Sequence, residues 1–148
     1  MNYVEQNRKI WDKKSENNDI WSIPVTSEMI SRAKKGEWNI VLTPSKKVPK
    51  NWFPENLQGK KILCLASGVG QQGPILAAIG ADVTVFDNSR KQLEKDEFVA
   101  KRDNLNIKTV QGNMQDLSVF KDESFDCIIH PWSNGYINDV HPVWRECS

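Results

Sequence analysis

Lys61-Ile62-Leu63-Cys64-Leu65-Ala66, followed at once by Ser67-Gly68-Val69-Gly70-Gln71-Gln72-Gly73, decides the fold of this chain. The first six residues form a short continuous apolar run, the pattern of a strand buried on both faces of a parallel sheet. The next seven match G-x-G-x-x-G from Gly68 to Gly73. Such a turn swings a strand sharply into a helix and brings its backbone close to whatever lies above it. Two readings follow from the turn alone. It cradles a nucleotide-type ligand with its backbone N–H groups, or it is a tightly packed strand-to-helix turn with no ligand. Asp87, at the tip of a second apolar run over 82–86, favours the first reading. It stands nineteen residues after Gly68 (87 − 68), where a carboxylate accepts hydrogen bonds from ribose hydroxyls.

Working outward, Ile75–Ile79 reads as an apolar helix closed by Gly80. Ser89 opens another helix, with Gln92 three residues on to complete a capping box, and Leu93, Glu97 and Ala100 continue one face. Ile107–Gln111 reads as a third strand and Ser124–His130 as a fourth, β-branched one. Strands alternating with helices predict βαβ units and an α/β fold with a mostly parallel sheet. Upstream, Thr26 or Ser27 caps a helix over 26–35 that Gly36 ends. Residues 1–23 have only a weak helical pattern. The segment 37–58 carries Pro44, Pro49 and Pro54, which predicts an extended surface stretch with a short strand at Asn39–Leu42. Lys46, Lys47 and Lys50 within it read as a solvated charge run. The expected organisation is a helical and extended cap over 1–58 on a core over 59–148. Trp11, Trp21, Trp38 and Trp52 predict that the cap packs on something.

The bulk numbers agree with a soluble globular protein. Among 148 residues, 39% are hydrophobic and 26% charged, enough apolar side chains for one packed domain. Lys and Arg number 20 against 19 Asp and Glu, a net charge of +1, so duplex nucleic acid is not an expected partner. Cys64, Cys127 and Cys147 lack C-x-x-C spacing, which predicts free thiols in a reducing cytoplasm. No metal site is expected: His130 and His141 have no ligand-spaced neighbours. The amino terminus lacks secretory-signal character and no apolar run reaches membrane-span length, so no membrane association is expected.

Four blocks in order carry a family resemblance. Ile62–Gly70 resembles the first motif, V-L-D-L-G-C-G-x-G, of the class I S-adenosylmethionine-dependent methyltransferases. Gly80–Ser89 resembles their second-strand block ending D-x-S. Gly112-Asn113-Met114-Gln115-Asp116-Leu117 resembles G-D-x-x-D-L, and Ser124–Ile129 resembles S-F-D-x-V-x. The resemblance implies a Rossmann-like sandwich and S-adenosylmethionine as cofactor. It implies that Ala66, Ser67, Gly68 and Gly70 line the methionine and ribose part, and that Asp87 takes the ribose hydroxyls with Asn88 beside the adenine. It implies that Asn113 and Met114 frame the adenine and that His130 begins the loop near the transferable methyl group. The chain departs from the pattern at Cys64, where the family has an acid, at Ala66, where it has glycine, and at Asn113, where it has an acid.

Methyl transfer from a sulfonium asks the protein for alignment and desolvation, and sometimes for a base. His130 is the candidate base, or else a histidine satisfied by backbone at a strand end. Trp132 and Tyr136 are candidate substrate walls, or else loop packing. The acceptor is expected to be a small molecule. A binding fragment without turnover and an NAD-dependent oxidoreductase, the latter favoured only by Gly73, are the competing readings. The family's strand order predicts a 3-2-1-4 sheet with the remaining strands missing. Strand four would then be an edge, covered by residues 1–58 or 131–148 or by a second copy in a homodimer.

Overall fold

The computed structural model describes residues 2–43 and 45–148; Met1 and Pro44 lie outside them. Four parallel strands form one sheet: β1 (Lys61–Leu65), β2 (Asp82–Asp87), β3 (Ile107–Gln111) and β4 (Cys127–Ile129), in the order β3-β2-β1-β4. This is the predicted α/β order. Successive β1 side chains face opposite sides of the sheet, as the two-residue strand period requires. Ile62 and Cys64 join the core beneath α2 (Ser27–Lys34), α3 (Gln72–Ala78) and α4 (Arg90–Asp103). Leu63 and Leu65 meet Phe86, Met114, Leu117 and Val143 on the other side. Val143 belongs to α5 (His141–Glu146), so the segment after β4 folds back over a sheet face.

The caps explain the helix starts. Thr26 accepts the Met29 amide at 3.2 Å and Ser89 accepts the Gln92 amide at 3.1 Å, each satisfying a donor that helix geometry leaves free. The expected capping box is only half made. The Ser89 amide goes to Asp87 Oδ1 at 2.8 Å, and Gln92 reaches Ser22 instead.

Three expectations are corrected. Residues 39–42 form no strand; Val41 and Lys47 make one isolated bridge, and Pro49 follows too soon to extend it. The fourth strand pairs over three residues only, Cys127–Ile129. The first residues, weakly patterned by periodicity, form a full helix, α1 (Tyr3–Glu16). Ion pairs of Arg8 with Glu5 and Asp12 support it, whereas only Ser15 is buried. The cap and the core share one interior: Val25, Ile30, Ile40 and Phe53 pack in the same cluster as Ile62 and Val85.

Candidate cofactor site

A cavity of about 420 Å³ opens at the carboxyl ends of β1 and β2. Open α/β sheets bind ligands at this edge, and the volume is that of a small-molecule site. Ala66, Ser67, Gly68 and Val69 form one wall, Asp87 and Asn88 a second, and Asn113 and Met114 a third. Trp132 and Tyr136 close one side, and α1 lies across the opening with Tyr3, Asn7 and Trp11. Most of the residues expected at the site therefore meet in one cavity. Gly70 and His130 lie behind its walls.

Asp87 is the centre of the site. Its Oδ2 accepts the Gly68 amide at 2.9 Å and its Oδ1 accepts the Ser89 amide. One carboxylate thus joins the glycine turn, the tip of β2 and the start of α4. Burial pushes its carboxyl up to about 6, while the amides of Ser89, Gly68 and Asn88 pull the other way. A Cβ on Gly68 would stand 2.9 Å from the Asp87 Cβ. The missing side chain therefore makes room for the carboxylate, and Gly68 still lines the cavity.

The other turn residues have similarly internal reasons. Gly70 has φ +69°, and a Cβ there would meet Pro24 at 2.7 Å. Its carbonyl accepts the Val25 amide at 2.8 Å, so it faces the cap segment. Gly73 packs α3 against Val85, whose Cγ2 would be 2.7 Å from a Cβ; helix–sheet packing accounts for it. Ala66 has φ +50°, the left-handed region that glycine enters without steric cost. The departure from the family's glycine thus keeps the glycine conformation and bears strain for it.

His130 Nδ1 lies 3.0 Å from the Leu65 carbonyl and Nε2 lies 2.7 Å from Asn134 Oδ1. Both ring nitrogens are engaged within the protein, so His130 ties the loop after β4 to β1. Ser133 adds a 2.7 Å bond to the Ala66 carbonyl. Trp132, 73% exposed, has φ +50°, and Tyr136 meets Trp11 edge-on at 5.4 Å. Asn113 spends its side-chain oxygen on the Gln115 amide at 3.1 Å. Asn88 donates to the Val4 carbonyl at 2.8 Å, holding α1 over the cavity.

Other wall residues were missed from sequence. Tyr3 donates to Gln115 at 2.6 Å and Ser89 to Asp12 at 2.6 Å, further straps between α1 and the core. Gln71 donates to the Ile23 carbonyl and Gln72 to the Val41 carbonyl, so the turn's two glutamines hold the cap segment. Their polarity between glycines and an apolar helix was the available signal. Asp96, fully buried on α4, accepts the Val69 amide at 2.9 Å. Its signal was an acid three residues from both Leu93 and Val99, on the helix's apolar face.

The cavity suits a nucleoside cofactor that also carries N–H donors. Asp87 is a desolvated carboxylate with acceptor capacity beyond its two amides. Phe86 and Met114 give an apolar shelf beside it. Ser67, Gln72 and Gln92 line the cavity, and each has a buried side-chain oxygen without a hydrogen-bond partner among the described residues.

Comparison with known proteins gives the same direction. Residues 63–148 match the family described as Methyltransferase domain. The uncharacterized methyltransferase YbaJ of Bacillus subtilis (strain 168) is 58% identical over 143 residues, covering 97% of this chain and 56% of that protein. The chain thus spans little more than half the length of that relative. Among solved structures, phosphoethanolamine N-methyltransferase 1 of Haemonchus contortus, in complex with phosphoethanolamine and S-adenosylhomocysteine, is similar at TM-score 0.65 and 17% identity. The match covers 98% of this chain and 28% of that one. An S-adenosylmethionine-dependent methyltransferase from Clostridium acetobutylicum ATCC 824 is similar at TM-score 0.52 and 22% identity, over 62% of this chain and 37% of that one. These two likenesses concern the fold. On its strand order, its four motif blocks and the family match, the chain belongs to the methyltransferase-domain family, within the class I S-adenosylmethionine-dependent methyltransferases.

Proposed function

We propose that this cavity binds S-adenosylmethionine and that the chain is the cofactor-binding part of an enzyme that methylates a small-molecule acceptor. The observation that carries this reading is Asp87, a half-buried carboxylate at the tip of β2, fixed by two amides and facing the cavity. A carboxylate so held presents acceptors at a set position, which is what a ribose diol requires. The cofactor supplies a methyl group on an electrophilic sulfonium. The residues supply alignment and exclusion of water: α1 and its aromatic side chains shield the opening, and the loop held by His130 and Ser133 forms the side wall. His130 serves that loop in this reading, and no base is assigned. Trp132 and Tyr136, exposed at the rim, are the proposed acceptor walls.

The test is Asp87→Ala, with S-adenosylhomocysteine affinity measured by calorimetry. A loss of about a hundredfold or more is expected, the order of two lost charge-assisted hydrogen bonds. Unchanged affinity in a folded variant would remove the ribose role.

A further inference from the structure

We propose that Asp96, reaching up from α4, is the positioning residue that holds the glycine turn in its cofactor-binding shape, in place of an acid on β1. The inference rests on the cofactor reading above and deepens it. The family resemblance places a carboxylate at position 64, under the turn. Here that position is Cys64, a fully buried thiol. Asp96 occupies the same interior from the opposite element. Its Oδ2 accepts the Val69 amide at 2.9 Å, and the Gly70 amide also favours its charged form. Its Oδ1 lies against α3, 3.3 Å from where a Cβ on Gly73 would stand. The charge of Asp96 also raises the Cys64 thiol, after the larger effect of burial. One side chain on α4 therefore touches the turn and the start of α3, beside the thiol of β1.

Packing alone does not explain an acid there. Leu93 and Val99, three residues to either side on the same helix, are both 0% exposed; a leucine would fill that layer and remove the unpaired Oδ1, but it would leave the Val69 amide without its acceptor. Oδ1 has no hydrogen-bond partner among the described residues. A group that is costly to bury and bonded to the turn's backbone is explained by what it does for the turn. Val69 lines the cavity between Gly68, whose amide Asp87 holds, and Gly70, which holds the cap segment. Asp96 thus fixes the middle of a turn whose two sides are fixed from elsewhere.

The experiment compares Asp96→Leu and Asp96→Asn with the unaltered chain, reading S-adenosylhomocysteine affinity and the ligand-free exchange rate of the Val69 amide. Asparagine keeps an acceptor at this position and leucine keeps only the volume. Expected are a loss of affinity of about tenfold and faster Val69 exchange by a similar factor in the leucine variant, with both restored to within about threefold by asparagine. A leucine variant that binds as tightly as the unaltered chain, with Val69 still protected, overturns the proposal. If the unaltered chain does not bind S-adenosylhomocysteine, the functional reading fails. The Val69 exchange comparison still decides whether Asp96 holds the turn. Should Asp96→Leu not fold, Asp96→Ala is compared with Cys64→Asp/Asp96→Ala. Recovery of affinity on moving the acid to β1 supports the proposal, and no recovery overturns it.

Discussion

Replacing Asp96 by asparagine should stabilise the protein increasingly as pH rises. Burial pushes the Asp96 carboxyl from the usual 3.8 up to about 8. Below about pH 4 both folded and unfolded chains carry the proton, and the acid imposes no charge-burial cost. Between about 4 and about 8 the unfolded chain ionises and the folded one does not, so stability falls as pH rises. Above about 8 the folded chain ionises too and the loss levels off. Each tenfold in proton affinity is worth about 1.36 kcal/mol, which sets a ceiling of about 6 kcal/mol. Local relaxation and water entry around a buried charge reduce this, and about 3 kcal/mol is a reasonable expectation. The asparagine side chain carries no charge and escapes the loss. Urea unfolding of both proteins at about pH 5 and about pH 9 measures it through the midpoint at constant slope. Asp87 also titrates, and its charge helps to raise Asp96. What is common to both proteins cancels in the difference, while the repulsion between the two carboxylates is lost with asparagine and adds to its advantage at high pH. Relative to strongly acid solution, the advantage of Asp96→Asn should already be about 1.5 kcal/mol at about pH 5, where the unfolded chain is largely ionised, and grow to about 3 kcal/mol at about pH 9. A difference independent of pH, or a variant less stable at about pH 9, would refute the reasoning.

Two further outcomes follow from the same geometry. Ala66→Gly should relieve the left-handed strain at φ +50° and stabilise the fold by up to about 1 kcal/mol after glycine's entropy cost, seen as a melting temperature about 3 °C higher. A lower melting temperature would show that Ala66 is not strained. S-adenosylhomocysteine binding should weaken as pH falls below about 6, where Asp87 gains its proton, approaching tenfold per pH unit. Calorimetry across that range checks it, and a flat profile would mean that the ribose contact does not depend on the carboxylate's charge.

The central strands were legible because continuous apolar runs such as Ile62–Leu65 and Val83–Phe86 have one physical explanation, burial between two layers. Asp87 was legible because its position at a strand tip has a chemical reason. The first helix was less so. Periodicity detects an apolar stripe, while α1 is held by ion pairs, by bonds from Asn88, Tyr3 and Ser89, and by the contact between Trp11 and Tyr136. The glycines were legible as glycines but not in their reasons. Gly68 yields to Asp87, Gly70 to Pro24 and Gly73 to Val85, contacts that depend on which distant side chains arrive. Asp96 was hidden for the same cause: its partner is a backbone amide 27 residues away. Among the described residues β4 stands at the end of the strand order, as the family's order implied.

The most direct measurement is a pair of calorimetric titrations of the unaltered chain, one with S-adenosylhomocysteine and one with NAD. The account predicts saturable one-to-one binding of S-adenosylhomocysteine and none of NAD. Binding of NAD without S-adenosylhomocysteine would contradict it.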